Sequence, residues 1–177
     1  MTDSAHELFE EQPETSGSIK DKLQARRVEI ADNRTYDLDI PGYNGDLYAV
    51  YKLLDGQRLN QIAQTVSKTT RDRAERGITA AIDTLVVACK ELRVRDEGRD
   101  LSVSEVAGLE SEVRYDSQLA AFLGFSGELS DTPTAREVLR KVFVDNEIAI
   151  AAHNQRLSRW MMGNGVSLDE ELLEDFG

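Results

Sequence analysis

The chain has little of several things. Its 177 residues include one cysteine, three prolines, one tryptophan and two histidines. A lone Cys89 cannot close an internal disulfide, which fits a reducing compartment. No apolar run approaches the roughly 20 residues that a membrane-spanning helix needs. The opening stretch, MTDSAHELFEEQPETSGS, lacks both the basic and the apolar region of a secretory signal. His6 and His153 lie far apart, and no His, Cys and carboxylate group together at metal-ligand spacing. No phosphate-cradling glycine loop, dinucleotide fingerprint or nucleophile elbow occurs. Asp96-Glu97-Gly98-Arg99-Asp100 lacks the alternating ligands and distal Glu of a calcium loop, and reads as a charged hairpin turn. These absences argue for a soluble cytoplasmic protein that is not an enzyme and takes no cofactor or metal.

Basic charge is also scarce, with 21 Lys and Arg against 33 Asp and Glu, a net charge of −12. The imbalance is local. Asp3, Glu7, Glu10, Glu11 and Glu14 crowd the first 14 residues, and Asp169, Glu170, Glu171, Glu174 and Asp175 crowd the last 11, with no Lys or Arg in either. The remaining 23 acids face 21 bases, so the body carries only −2. A DNA mimic would need acids in rows over a folded face, and acidic ends more simply confer solubility. Arg71, Arg73 and Arg76 form the one basic cluster, interleaved with Asp72 and Glu75, which is a solvated helix face and no nucleic-acid footprint.

What is present is periodicity. In YDLDIPGYNGDLYAVYKLL, residues 36–54, Tyr36, Leu38 and Ile40 alternate with acids, and Leu47, Ala49, Tyr51 and Leu53 resume the alternation. Pro41-Gly42 and Asn44-Gly45 supply the turn between them. A short helix is predicted over Lys20–Ile30, then helices over Gln57–Arg76 and Ile78–Leu92 divided near Gly77, with Cys89 on the apolar face of the second. A second small hairpin falls near residues 93–103. Ser117–Phe125 is a short apolar helix. Thr132-Pro133 starts another, and Asp145 caps the next, which Gly163-Asn164-Gly165 ends. Ser167 and Glu170 make a capping box before Leu168, Leu172, Leu173 and Phe176.

The expected fold is therefore mainly α within an α+β class. It is a helical bundle with a small N-terminal antiparallel β element and flexible acidic tails. Residues 1–17 form a disordered tail, 18–163 one domain and 164–177 an acidic C-terminal tail. Candidate partner-binding residues are Tyr43, Tyr48 and Tyr51 in the hairpin and Trp160, Met161 and Met162 at a helix end, because aromatic and Met side chains suit adaptable interfaces. Trp160 can equally be the lid of the domain's own core.

The order of these phrases resembles a known family. IPGYNGDLYAVYKLLDGQRLNQIA, ITAAIDTLVVACKELRVRDEGRDLSV, RYDSQLAAFLGF and TAREVLRKVFVDNEIAIAAHNQRLSRWM are similar, in that succession, to tail assembly chaperones of long-tailed actinobacterial phages and prophages. The resemblance covers about residues 36–162 and implies a non-enzymatic assembly factor in the host cytoplasm. It would bind the aggregation-prone tape measure protein, keep it soluble and help recruit the tail tube protein. Neither nucleic acid nor a membrane is an expected partner, and self-association is left open. The alternatives are a structural phage component, such as a head–tail connector or tail terminator, and a cytoplasmic adaptor.

Overall fold

The computed structural model describes the backbone of residues 16–174 and, apart from residue 31, the side chains of residues 18–163. The acidic segment of residues 1–15, and residues 175–177, lie outside the described residues. The fold is mixed α+β, with seven α-helices and one four-stranded antiparallel sheet among the described residues. No helix of the described residues is long and apolar enough to cross a membrane.

The first helix, α1, spans Ser16–Asn33, longer at both ends than predicted. The hairpin follows as β1 (Thr35–Asp39) and β2 (Leu47–Lys52), with Leu38 opposite Ala49 and Tyr36 opposite Tyr51. Its turn uses left-handed backbone at Gly42, Asn44 and Gly45, the conformation those residue types tolerate. The predicted second hairpin is also there, as β3 (Cys89–Asp96) and β4 (Arg99–Ser102) around Glu97-Gly98. The two hairpins are not separate, because β2 pairs with β3 to give the order β1-β2-β3-β4. The ladder slips between Val50 and Tyr51, a bulge that leaves Lys90 without a partner in the register.

Several helix boundaries differ from those expected. The break between α2 (Gly56–Thr69) and α3 (Arg73–Ala88) falls at residues 70–72, and Gly77 lies inside α3. Asp72 creates that start by accepting the Ala74 N–H, while Gly77 costs the helix interior only about 1 kcal/mol and does not break it. The Arg71, Arg73 and Arg76 cluster therefore sits at the start of α3, against its dipole. Arg76 is held by its Nε, which donates to the Thr70 carbonyl at 2.7 Å. The run predicted as helix to Leu92 turns to strand at Cys89, where β2 offers ladder partners.

Short α4 (Val103–Ala107) and α5 (Ser117–Leu123) end on left-handed Gly108 and Gly124. Helix α6 (Ala135–Val142) is capped by Thr134 in a capping box with Glu137, two residues after the expected Thr132. Asn146, rather than Asp145, accepts the Ala149 N–H at the head of α7 (Glu147–Glu174). The expected stop at Gly163–Gly165 does not occur, and the α7 backbone continues to Glu174. Glycine costs a helix interior about 1 kcal/mol each but removes no hydrogen bond, unlike proline.

One face of the sheet carries Leu38, Ile40, Leu47, Ala49, Tyr51, Cys89 and Leu92 into the core. Leu85 of α3, Val138, Leu139 and Val142 of α6, and Ile150, Leu157 and Met161 of α7 close over it. Fully burying such a side chain contributes about 1.5–3 kcal/mol. Among the described side chains, the core cluster begins at Leu38 and ends at Met161.

Candidate functional site

Alternation along β2 points Tyr51 inward, where it meets α7. Its hydroxyl lies 2.6 Å from the Tyr115 hydroxyl and 2.8 Å from His153 Nε2. Phe143 packs edge-on to the His153 ring at 5.1 Å. Burial pushes both tyrosines well above their ordinary pKa. Desolvation, with the Arg156 charge adding to it, lowers His153 to about 4, so the imidazole is neutral at pH 7. Burial likewise pushes the Cys89 thiol up, which removes the thiolate a nucleophile requires. The two hydroxyls and the imidazole are joined to one another within the core, and the nearly buried His153 also lines an open groove. Among the described residues, no group of three or more His, Cys, Asp or Glu could hold a metal ion.

The opposite sheet face is sealed by charge. The Arg95 guanidinium stacks 4.1 Å over the Tyr48 ring and is held at 2.7 Å by both Asp39 and the Gly45 carbonyl. Arg93 donates to the Tyr48 hydroxyl and to Asp100, each at 3.0 Å, and to Glu91. The Tyr48 hydroxyl in turn donates to Asp100. Burial, reinforced by the Asp100 bond, pushes Tyr48 up to about 12, and the same bond lowers Asp100. Two arginines thus take the place of a covering element over an aromatic ring.

The six residues singled out by sequence fall in different places. Tyr48, Tyr51 and Met161 are buried. Tyr43 is half-buried and donates to the Val142 carbonyl at 2.7 Å, fastening the hairpin turn to the end of α6. Trp160 is half-buried and stacks on Tyr36, with ring centroids 5.3 Å apart and planes within 9°. Met162 is 72% exposed. Of these six, Met162 is the most exposed.

Other apolar side chains at the surface were not signalled by composition. Ile19, Leu23 and Ile30 recur at helical spacing on α1 and are exposed. Val144 and Ile148 stand 79% and 84% exposed at the corner between α6 and α7. Val144 also has φ +52°, a conformation that a β-branched residue rarely adopts. An open groove of about 460 Å³ runs nearby, between the β1–β2 turn at Pro41 and Gly42 and the α7 residues Ala149, Ala152 and Arg156. No signal within one segment could have found the Val144 conformation, which depends on how α6 and α7 dock.

No protein-family model, curated protein or solved structure matches this chain.

Proposed function

We propose that this chain is a non-enzymatic tail assembly chaperone of a long-tailed phage or prophage. In this reading it acts in the host cytoplasm, binds the tape measure protein and promotes tail tube assembly. The observation that carries the reading is the ordered succession of family-like phrases across residues 36–162. Two further features support it. The titratable core groups are neutral and enclosed, and large apolar side chains remain at the surface on α1 and at the α6–α7 corner. An extended helical client with an apolar side would cover such positions, as in helix-on-helix recognition. The finer fold expectation, a mainly helical body with flexible acidic ends, belongs to the same reading.

Co-expression tests it. On this reading a tape measure protein is encoded beside this gene, and it should move from the pellet to the soluble fraction and co-purify with the chain. An unchanged pellet, with both proteins well expressed, overturns the proposal. So does recovery of this chain as a stoichiometric component of purified virions, which is the outcome for a connector or terminator.

A further inference from the structure

Strand β1 is an edge of the sheet, with no strand on its far side among the described residues. Ile40 donates its N–H to the Leu47 carbonyl at 3.1 Å, and Leu53 donates to the Arg34 carbonyl at 3.2 Å. Those two bonds set the phase of the ladder. Arg34, Tyr36, Leu38 and Ile40 turn their backbone groups towards β2, so those of Thr35, Asp37 and Asp39 face outward. All three residues are exposed, and their outward N–H and C=O groups take no partner among the described residues.

The open groove beside Pro41 and Gly42 includes Asp39, the last residue of that edge, and its other wall is α7 at Ala149, Ala152, His153 and Arg156. His153 is 3% exposed, yet only its Nε2 is engaged, by the Tyr51 hydroxyl at 2.8 Å. Among the described residues, Asn154 Oδ1 is the one enclosed side-chain polar atom without a partner. The unpartnered His153 Nδ1 is therefore reached by solvent, and the groove is the opening that His153 lines. A Tyr51 hydroxyl that donates to Nε2 leaves the ring proton on Nδ1, as a donor towards the groove. Arg156 lies close enough for its charge to help keep this imidazole neutral, and it forms no ion pair among the described residues. Asp39 is already held by Arg95 at 2.7 Å. A hydrogen-bonding nitrogen and an uncompensated cation thus share one groove, at the end of an unpaired strand edge.

We infer that an extended segment of a partner polypeptide adds to the β1 edge as a further strand and seats an acidic side chain in the groove, on Arg156 and His153 Nδ1. Backbone bonds to Thr35, Asp37 and Asp39 supply the affinity, and the groove, which takes alternate side chains, supplies the selectivity. Asp37 and Asp39 alternate with the inward Leu38 and so stand on the outer face of the edge, where charge discourages indiscriminate strand pairing. The complementary strand therefore carries a base opposite Asp37 and an acid on the groove side. Such a partner is defined by this charge pattern alone, whether or not the chain is a tail chaperone.

A yeast-displayed library of short random peptides, selected against the full chain, tests the inference. Selection should enrich peptides that place Asp or Glu beside Lys or Arg, and a synthetic copy of one should bind in isothermal titration. Arg156→Glu should weaken that binding by about 10-fold or more, and replacing the peptide's acid by Lys should restore it. Asp37→Pro removes an outward N–H while leaving the β2 ladder whole, so it should abolish binding. In the wild type, the bound peptide should slow amide exchange at Thr35, Asp37 and Asp39. It should also move the His153 Nδ1 resonance, in a chain whose one other imidazole is His6. Circular dichroism melts identify a variant that fails to fold; Arg156→Gln then replaces Arg156→Glu at lower amplitude, and the wild-type exchange pattern replaces Asp37→Pro. Failure to select any peptide, selected peptides without an acid, binding indifferent to Arg156→Glu or to a folded Asp37→Pro, or edge amides that still exchange freely would each overturn the inference.

Discussion

The Tyr51 hydroxyl and His153 Nε2, 102 residues apart in sequence, meet at 2.8 Å in the centre of the core. The bond joins the sheet to α7, and through Tyr115 it reaches the segment before α5. Tyr51→Phe keeps the ring and removes the hydroxyl, leaving two buried partners one hydrogen bond short. Unfolding free energy should fall by about 1–3 kcal/mol, read from urea titration. A loss near zero would mean that the cluster contributes nothing net.

His153 makes stability depend on pH. Its folded pKa of about 4 lies below the ordinary 6.5, so the unfolded chain binds the extra proton between those values. The stabilising effect of the neutral form is complete above pH 6.5 and is lost as pH falls through 6.5 towards 4. At its full extent it is on the order of 3 kcal/mol. Carboxylates titrate nearby, so the readout is the difference between the wild type and His153→Gln, whose amide can still meet the Tyr51 hydroxyl. Stability of the variant should fall less steeply with acidification across that window, and parallel pH profiles would refute the assignment.

Trp160 and Tyr36 couple α7 to the edge strand. Trp160→Ala removes a half-buried ring, so the expected cost is about 2–3 kcal/mol, below the range for a fully buried tryptophan. The stacking component is separable by a double-mutant cycle with Tyr36→Ala, with an expected coupling of about 0.5–1.5 kcal/mol. Independent, additive losses in thermal melts would show that the rings merely lie near one another.

These contacts mark how far the sequence could be read. Period-2 alternation shows the first hairpin and the charged Asp96–Asp100 turn the second, but Tyr51, a candidate partner-binding residue by sequence, is buried. The alternation carries no information on what Tyr51 meets, because His153 lies on an α7 stripe whose docking is settled by packing. The strand Cys89–Leu92 was hidden, since the 3–4 spacing of the α3 stripe runs on through Cys89 with no Gly or Pro at the junction. Its pairing with β2 is a long-range event that local propensity does not encode. Asp72 caps α3, but the arginines around it make it read as part of a charged face and mask the capping signal. Of the candidate interface residues, Met162 is exposed, although the helix end that singled it out is not there, since α7 continues to Glu174. Sequence position could not foresee that an arginine would lie over Tyr48.

Residues 1–14 carry five acids and no base, a composition that the sequence assigns to a tail contributing little to stability. Removing residues 1–14 should leave Tm within a few degrees of the full chain, measured at matched salt because five negative charges are lost with it. A larger drop would show that this acidic segment packs on the body.

Val144 separates stability from binding. It holds a left-handed backbone at φ +52°, and Asp145 follows at φ +56°, while its side chain is 79% exposed. A β-branched residue in that region is strained by roughly 1–2 kcal/mol, and an exposed valine recovers little of this by burial. Val144→Gly should therefore raise unfolding free energy by about 0.5–1 kcal/mol, partly offset by the greater freedom of glycine in the unfolded chain. If the Val144–Ile148 corner contacts the client, the same substitution should weaken co-purification of the tape measure protein, and Ile148→Asp should weaken it further. A more stable variant with diminished client capture is the expected result. A variant that gains stability and captures the client unchanged would place the binding surface elsewhere, with α1 and its Ile19, Leu23 and Ile30 stripe as the next surface to mutate.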